Sequence, residues 1–414
     1  MISTLVGLYT FYVLTKIYVS VMQIGYINQV KVKTPHLMDS AAYLKAGNYA
    51  VAKERMNMAS TLVEYLVFIA WIGGGLMWLD SVATFESEAV KTVVLVLGFV
   101  VINAIITMPL EWYEKFSLDA KFGFNRSSVG LYIKDTLIAS ALGLSIGGVV
   151  IWVVYVIIVS TQMWWLWSFS FIFGVVILIN MLFPTVRALF FDKIKPLDDE
   201  ELNAKISELM DATGFVSSGV YISDASKRDA RLNAYFGGLG KSKRVVLFDT
   251  LLEKLSHKEL LAVLGHELGH FAHGDIYKNI AMVGAMLFGM FALFGNIPED
   301  FYLELGISEQ PYIAIILLMM FMPILSFIMM PLMGVVSRHN EYAADETGSE
   351  LGGKENLASA LKKLVSENKS FPLSHPLYIF FYYTHPPVLE RLRVLGVDIN
   401  MDDSGLEGTC PNID

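Results

Sequence analysis

The stretch LLAVLGHELGHFAHGDIYKNIAMVGAMLFGMFALF runs from Leu260 to Phe294. Between Leu260 and Asp275 it gathers His266, Glu267, His270, His273 and Asp275. From Ile280 onward it becomes an unbroken apolar block. Side chains that bind metal ions thus stand a few residues from a segment fit to enter a bilayer, and the fold must serve both.

The apolar block is one of several. The chain has 414 residues, of which 54% are hydrophobic and 17% charged, with a mean hydropathy of +0.51. Soluble domains carry about 25% charged residues. The apolar residues fall in long blocks: Ser3–Ile27, Leu62–Leu79, Val93–Leu110, Thr136–Ser160, Met163–Leu182, Ile280–Phe294 and Pro311–Val336. Crossing a bilayer takes roughly 20 such residues, so the pattern predicts about seven spans. The first block contains Lys16 and lacks a clear small-residue cleavage site, so it reads as a retained span.

Lysine and arginine in the connections set the orientation. Lys31, Lys33, Lys45, Lys53 and Arg55 follow the first block, and Lys115, Lys121, Arg126 and Lys134 follow the third. Arg187, Lys193 and Lys195 follow the fifth. The alternate connections are acidic or uncharged, as in Asn296–Gln310 with Glu299, Asp300, Glu304 and Glu309. The expected N-terminus is outside, with the soluble segments in the cytoplasm. A net charge of -9 and no basic stripe argue against a nucleic-acid partner. Cys410 is the only cysteine, so a metal site must use His, Asp and Glu.

Residues 191–276 form the first sizeable polar segment. ELNAKISELMDATGF has helical spacing, whereas GVYIS, LNAYFGG and RVVLFD read as short strands, the last two joined by a GGLGKSK turn. Ser256 with Glu259 makes a capping box and predicts a helix from about His257. Beyond the last span, SRHNEYAADETGSEL reads as helical and as a possible extension of that span. KENLASALKKLVSEN reads as an amphipathic helix, and THPPVLERLRVL predicts a helix start after His385.

His266-Glu267-Leu268-Gly269-His270 is HExxH on this predicted helix. Residues four apart share a face, so both imidazoles can reach one metal ion, and two neutral imidazoles suit Zn²⁺. Glu267 can take a proton from a water at such a site. A catalytic zinc needs a third protein ligand and an open position. Glu341 is the best candidate, and Asp345, one turn on, would orient a ligating histidine. His257 and His273 read as helix-end or surface residues, and Asp275 as a helix-end or supporting group. His36, His339 and His375 have no motif support and are taken as structural. Asn103 and Asn180 stand inside spans, where polar residues are expensive; packing is at least as good a reading of them as function.

With these motifs in place the chain resembles the CAAX prenyl protease 1 family of integral-membrane zinc metallopeptidases. The resemblance covers nearly the whole chain. It rests on about seven spans in the right order, on LGHELGH between the fifth and sixth, on NEYAADE after the last, on Asn233-Ala-Tyr-Phe236 and on Thr384–Pro387. It implies that His266, His270 and Glu341 bind one zinc ion and that Glu267 is the general base. It further implies that Asn233 and His385 contact substrate or the oxyanion, and that the site borders a large intramembrane chamber. Leu232 stands where the family commonly has serine, and the PNID ending shows no ER-retrieval signal. The compact loops suggest a bacterial homologue in an inner membrane.

The expected architecture is therefore an all-α polytopic membrane protein with a small α+β zincin-like metalloprotease domain at the cytoplasmic side. Its parts are residues 1–190 with five spans, 191–276 with the HExxH helix, 277–336 with two spans, and 337–414 completing the site. The expected substrate is a peptide or protein, lipidated or membrane-bound; the oligomeric state is left open. Two other functions are weighed. An HtpX-like quality-control protease would be shorter, with fewer spans. A non-enzymatic scaffold with a vestigial metal site would have no need of Glu267.

Overall fold

The computed structural model describes residues 2–82, 85–217, 219–237 and 244–398. The tail from 399 onward, with Cys410, and most of the GGLGKSK turn lie outside the described residues. Among the described residues seven helices are long and apolar enough to cross a membrane: Ile2–Val30, Ser40–Ser81, Glu88–Phe122, Val129–Ser160, Trp164–Phe190, Asp275–Phe294 and Pro311–Gly352. Each expected block lies inside one of them, apart from Met163, which caps the fifth helix, and most helices run past the blocks because polar residues continue the backbone ladder beyond the apolar stretch.

Spans 3 to 7 close into a ring. Neighbouring spans touch in order, span 6 packs on span 7, and span 7 returns to span 3. They surround an apolar cavity of about 570 Å³ lined by Leu97, Leu144, Leu287 and Met319 among others. Spans 4 and 5 bury only 6% of their apolar windows, against 44% for span 7, so they form a wall one helix thick. Spans 1 and 2 pair outside the ring, and Tyr9, Phe68 and Phe321 join them to span 7 through stacked and edge-on rings. Asn103 accepts from the Trp71 indole and donates to Phe99 O. Asn180 donates to Val176 O. Both are accounted for by local bonding and packing.

The soluble parts gather at one end. A four-stranded sheet has β1 (Ile194–Pro196), β2 (Val220–Ser223), β3 (Ala234–Gly237) and β4 (Arg244–Phe248) in the order β1-β2-β4-β3. β2 and β4 are parallel, and the two outer pairs are antiparallel. The last three match the expected strands; β1 follows span 5 directly and was not foreseen, because IKP is three residues long with a proline. Val245 and Leu247 pack with Leu202 and Ile206 of the helix Glu200–Ala212 and with Leu260, Leu264 and Leu268 of the helix His257–Ala272.

This sheet is tied to the membrane helices at their basic ends. Arg228 pairs with Asp135 at the start of span 4, and Arg231 with Asp119 at the end of span 3. The C-terminal residues Phe371, Leu373 and Leu389 pack on Ile27, Val30 and Tyr43 of spans 1 and 2. A helix at Pro376–Tyr382, also unforeseen, lies against spans 1 and 7. At the opposite end the amide of Ile2 donates to Glu304 at 2.8 Å, and Tyr312 and Lys91 both meet Asp80.

Candidate metal centre

Two helices build the centre. The first is His257–Ala272, with the expected capping box: Ser256 Oγ accepts from Glu259 N–H, and Glu259 Oε2 accepts from Ser256 N–H at 2.7 Å. Glu259 also accepts from Ser359 at 2.6 Å and Lys363 at 2.7 Å, which anchors the helix start to the C-terminal helix Lys354–Glu367. Burial alone would push the Glu259 carboxyl up; these donors win and hold it at about 2. The second helix is span 7, which runs unbroken for 42 residues to Gly352 and carries Glu341 and Asp345 past the apolar block. The expected division at 336/337 falls within this one helix.

Their close approach is set by two pairs of glycines four residues apart, Gly265 with Gly269 and Gly348 with Gly352. A Cβ on Gly348 would lie 2.9 Å from the backbone nitrogen of His266, and one on Gly269 would lie 3.1 Å from Ala344 Cα. Small residues at this spacing let two helix backbones meet. The first helix then ends at Ala272, and Gly274 at φ +67° turns the chain so that span 6 starts at Asp275 beside His270.

The side chains converge accordingly. His266 Nε2 lies 3.5 Å from Glu341 Oε2, and His270 Nε2 lies 3.2 Å from Glu341 Oε1. The His270 Nδ1 position is held by Asp275 at 2.8 Å. His266 Nδ1 lies 2.9 Å from Asp345 Oδ1, out of line for a hydrogen bond. Carboxylates on both Nδ1 atoms leave both Nε2 atoms facing Glu341, the arrangement that orients histidine ligands. One donor atom from each of His266, His270 and Glu341 lies within 4.8 Å of the others. Tetrahedral zinc with bonds of about 2.0–2.1 Å needs ligand atoms roughly 3.3–3.4 Å apart, close to both measured distances.

Charge supports the same assignment. Burial pushes the His270 imidazole down, yet Glu341, Asp275 and Glu267 outweigh it and raise it to about 9. Glu341 Oε2 and His266 Nδ1 are buried with no hydrogen bond. The crowded carboxylates call for positive charge at their centre, and a divalent cation on neutral imidazoles supplies it. The donor set therefore fits a metal ion.

His385 reaches the cluster from the C-terminal segment, with Nε2 3.2 Å from Glu341 Oε1 and Nδ1 3.0 Å from Thr384 Oγ1. It is 63% exposed and lines a cleft of about 520 Å³ together with Arg391. Exposed to the cleft but walled by protein, it is partly desolvated, which holds its imidazole below the ordinary histidine range against the pull of Glu341. Asn233 sits immediately before β3, which is an edge strand of the sheet. Its exposed amide accepts from Ala234 N–H at 2.9 Å, and Phe248 N–H donates to its carbonyl. His257 faces Asp199 at 3.3 Å, at the helix start, and His273 caps the helix end.

Arg391 was not foreseen. It is buried, donates to Asp345 through Nε at 2.8 Å and Nη2 at 2.7 Å, and places Nη1 3.3 Å from Glu341 Oε2. The available signal was a cation set among Leu389, Leu392 and Leu395, on the apolar face of a short helix.

Comparison with known proteins matches both halves of the chain. Residues 196–397 match Peptidase family M48, and residues 26–193 match the family described as CAAX prenyl protease N-terminal, five membrane helices. The chain is 34% identical to CAAX prenyl protease 1 of Saccharomyces cerevisiae, over 86% of each chain. It is 29% identical to the CAAX prenyl protease 1 homolog of Homo sapiens, over 87% of each. The crystal structure of S. mikatae Ste24p superposes with a TM-score of 0.86 at 30% identity, covering 94% of this chain and 97% of that one. With the membrane ring, the HExxH helix and these relatives in agreement, the chain belongs to peptidase family M48, as a multi-pass membrane metalloprotease of the CAAX prenyl protease 1 type.

Proposed function

We propose that the protein is a membrane-embedded zinc endopeptidase that cuts near the C-terminus of CAAX-type, lipid-modified or membrane-associated proteins. The observation that carries this reading is the convergence of His266, His270 and Glu341 on one point, with Glu267 beside it on the same helix. His266, His270 and Glu341 would hold the single zinc ion, which when bound acts as a Lewis acid on the scissile carbonyl and makes the attacking water more acidic. Glu267 accepts that water's proton and passes it to the leaving amine. Asp345 and Asp275 fix the two imidazoles, and Arg391 fixes Asp345 in turn. His385, kept neutral, donates to the developing oxyanion. Asn233 bonds an extended substrate that adds to the β3 edge as a further strand.

The active site is read as cytoplasmic, because it stands at the end where Lys31, Lys45, Lys121 and Arg126 gather. The short loops support a bacterial inner membrane as the setting. A site this close to three span ends suits a substrate that is itself held at the membrane. The test is cleavage by the purified protein of a farnesylated CAAX peptide, the same peptide without the lipid, and a misfolded membrane protein. The reading expects the farnesylated peptide to be cut with the highest kcat/KM. Preference for the misfolded protein would favour the quality-control reading, and cleavage of none of them the scaffold.

A further inference from the structure

The basic ends of spans 1, 2 and 3 frame a cleft of about 680 Å³ that shares no lining residue with the metal centre. Lys31 lines it from the end of span 1, Lys45 and Arg55 from the first turns of span 2, and Lys121 from the last turns of span 3. Among the described residues no carboxylate lines it; the polar neutral lining is Asn28, Asn48, Tyr113 and Ser117. The neighbouring acids are engaged elsewhere: Glu114 with Lys53, Asp119 with Tyr49 and Arg231, and Glu54 with Ser20 and Tyr378. Among the described residues Lys45, Arg55 and Lys121 make no ion pair, and Lys31 donates only to Asn48, at 2.8 Å. Four clustered cations repel one another, and an anion in the cleft relieves that repulsion.

Aromatic rings mark the level of the cleft along span 3. Trp112, Phe116 and Tyr132 form an edge-on and tilted ring cluster beside it, the kind of aromatic group that marks a membrane interface. The face of span 2 that carries Arg55 continues about two and three turns deeper to Leu62 and Leu66, which are 47% and 66% exposed. The face of span 3 that carries Tyr113 continues about two turns deeper to the exposed Ile106. Cations above and open apolar rows below match a phosphate group joined to acyl chains.

We propose that this cleft binds the phosphate headgroup of an anionic phospholipid, with its acyl chains on the apolar rows of spans 2 and 3. The protein would carry it as a bound lipid at the membrane edge, separate from the metal centre. The test is calorimetric titration of short-chain phosphatidylglycerol into the full chain in an uncharged detergent, beside short-chain phosphatidylcholine and inorganic phosphate. Phosphatidylglycerol is expected to saturate one site, with phosphatidylcholine and inorganic phosphate far weaker. A K45Q/R55Q/K121Q variant is expected to bind it on the order of 100-fold more weakly, since each cation near a membrane surface contributes several-fold. Unchanged affinity in that variant overturns the proposal. Inorganic phosphate binding as tightly as the lipid overturns it too, in favour of a soluble anion. Should the triple variant fail to fold, R55Q alone and the wild-type salt dependence decide: affinity that ignores both Arg55 and ionic strength contradicts the site.

Discussion

The two aspartates beside the ligating histidines are each held by a cation of their own. Asp345 is held by Arg391, 46 residues on, and Asp275 by Lys278, one helical turn on. His266, His270, Glu341 and Asp345 were legible because spacings of four residues on helices put them on shared faces. Arg391 was not, since its partner comes from another helix and nothing local announces it. His385 and Asn233 were legible only through resemblance. Their proposed roles predict that His385→Ala and Asn233→Ala keep zinc and melting temperature while kcat falls, by about 100-fold for an oxyanion donor. Steady-state kinetics beside a thermal melt checks it; a lower melting temperature with unchanged kcat would make both residues structural. Glu259 gives a pH-dependent expectation. Its carboxyl is depressed to about 2, below the unfolded value of about 4.3. Its contribution is therefore full above about pH 4.3 and is lost as pH falls through about 2. The melting-temperature gap between wild type and Glu259→Gln should be wide at neutral pH and shrink steadily below that upper bound; a gap independent of pH would refute the assignment.

Between elements, the decisive contact is the glycine-lined crossing of the HExxH helix and span 7. Read alone, Gly265 and Gly269 are only mild weaknesses in a helix. Paired with Gly348 and Gly352, they are what allows two histidines and a glutamate on separate helices to converge on one point. Sequence could not show the pairing, because the two helices are joined through span 6 and more than 70 residues of chain separate the motifs. Gly348→Ala puts a methyl group 2.9 Å from His266 N. Overpacking of this kind costs about 1–3 kcal/mol. The expected result is a lower melting temperature together with reduced zinc content, measured by elemental analysis. Full zinc content in a destabilised variant would show that the crossing does not govern the site. The sheet is legible in sequence where alternation and turn chemistry are clear, and not at β1, whose three residues are too few to show a pattern.

Across the whole molecule, composition and the positions of lysine and arginine carried most of the architecture. All seven expected blocks coincide with membrane-length helices to within a residue, and the soluble parts stand at the basic ends. What the pattern could not convey is the closed ring of spans 3 to 7, since periodicity says which segments enter a bilayer but not which neighbour each meets. That ring brings spans 6 and 7 together beneath the HExxH helix and so joins membrane and chemistry in one site. The most direct test of the account is turnover of a farnesylated CAAX peptide by Glu267→Gln protein shown by elemental analysis to hold one zinc per chain. Losing a general base typically costs about 100-fold or more, so the account predicts full zinc with turnover reduced at least that far. Near wild-type turnover in the zinc-loaded variant would contradict it.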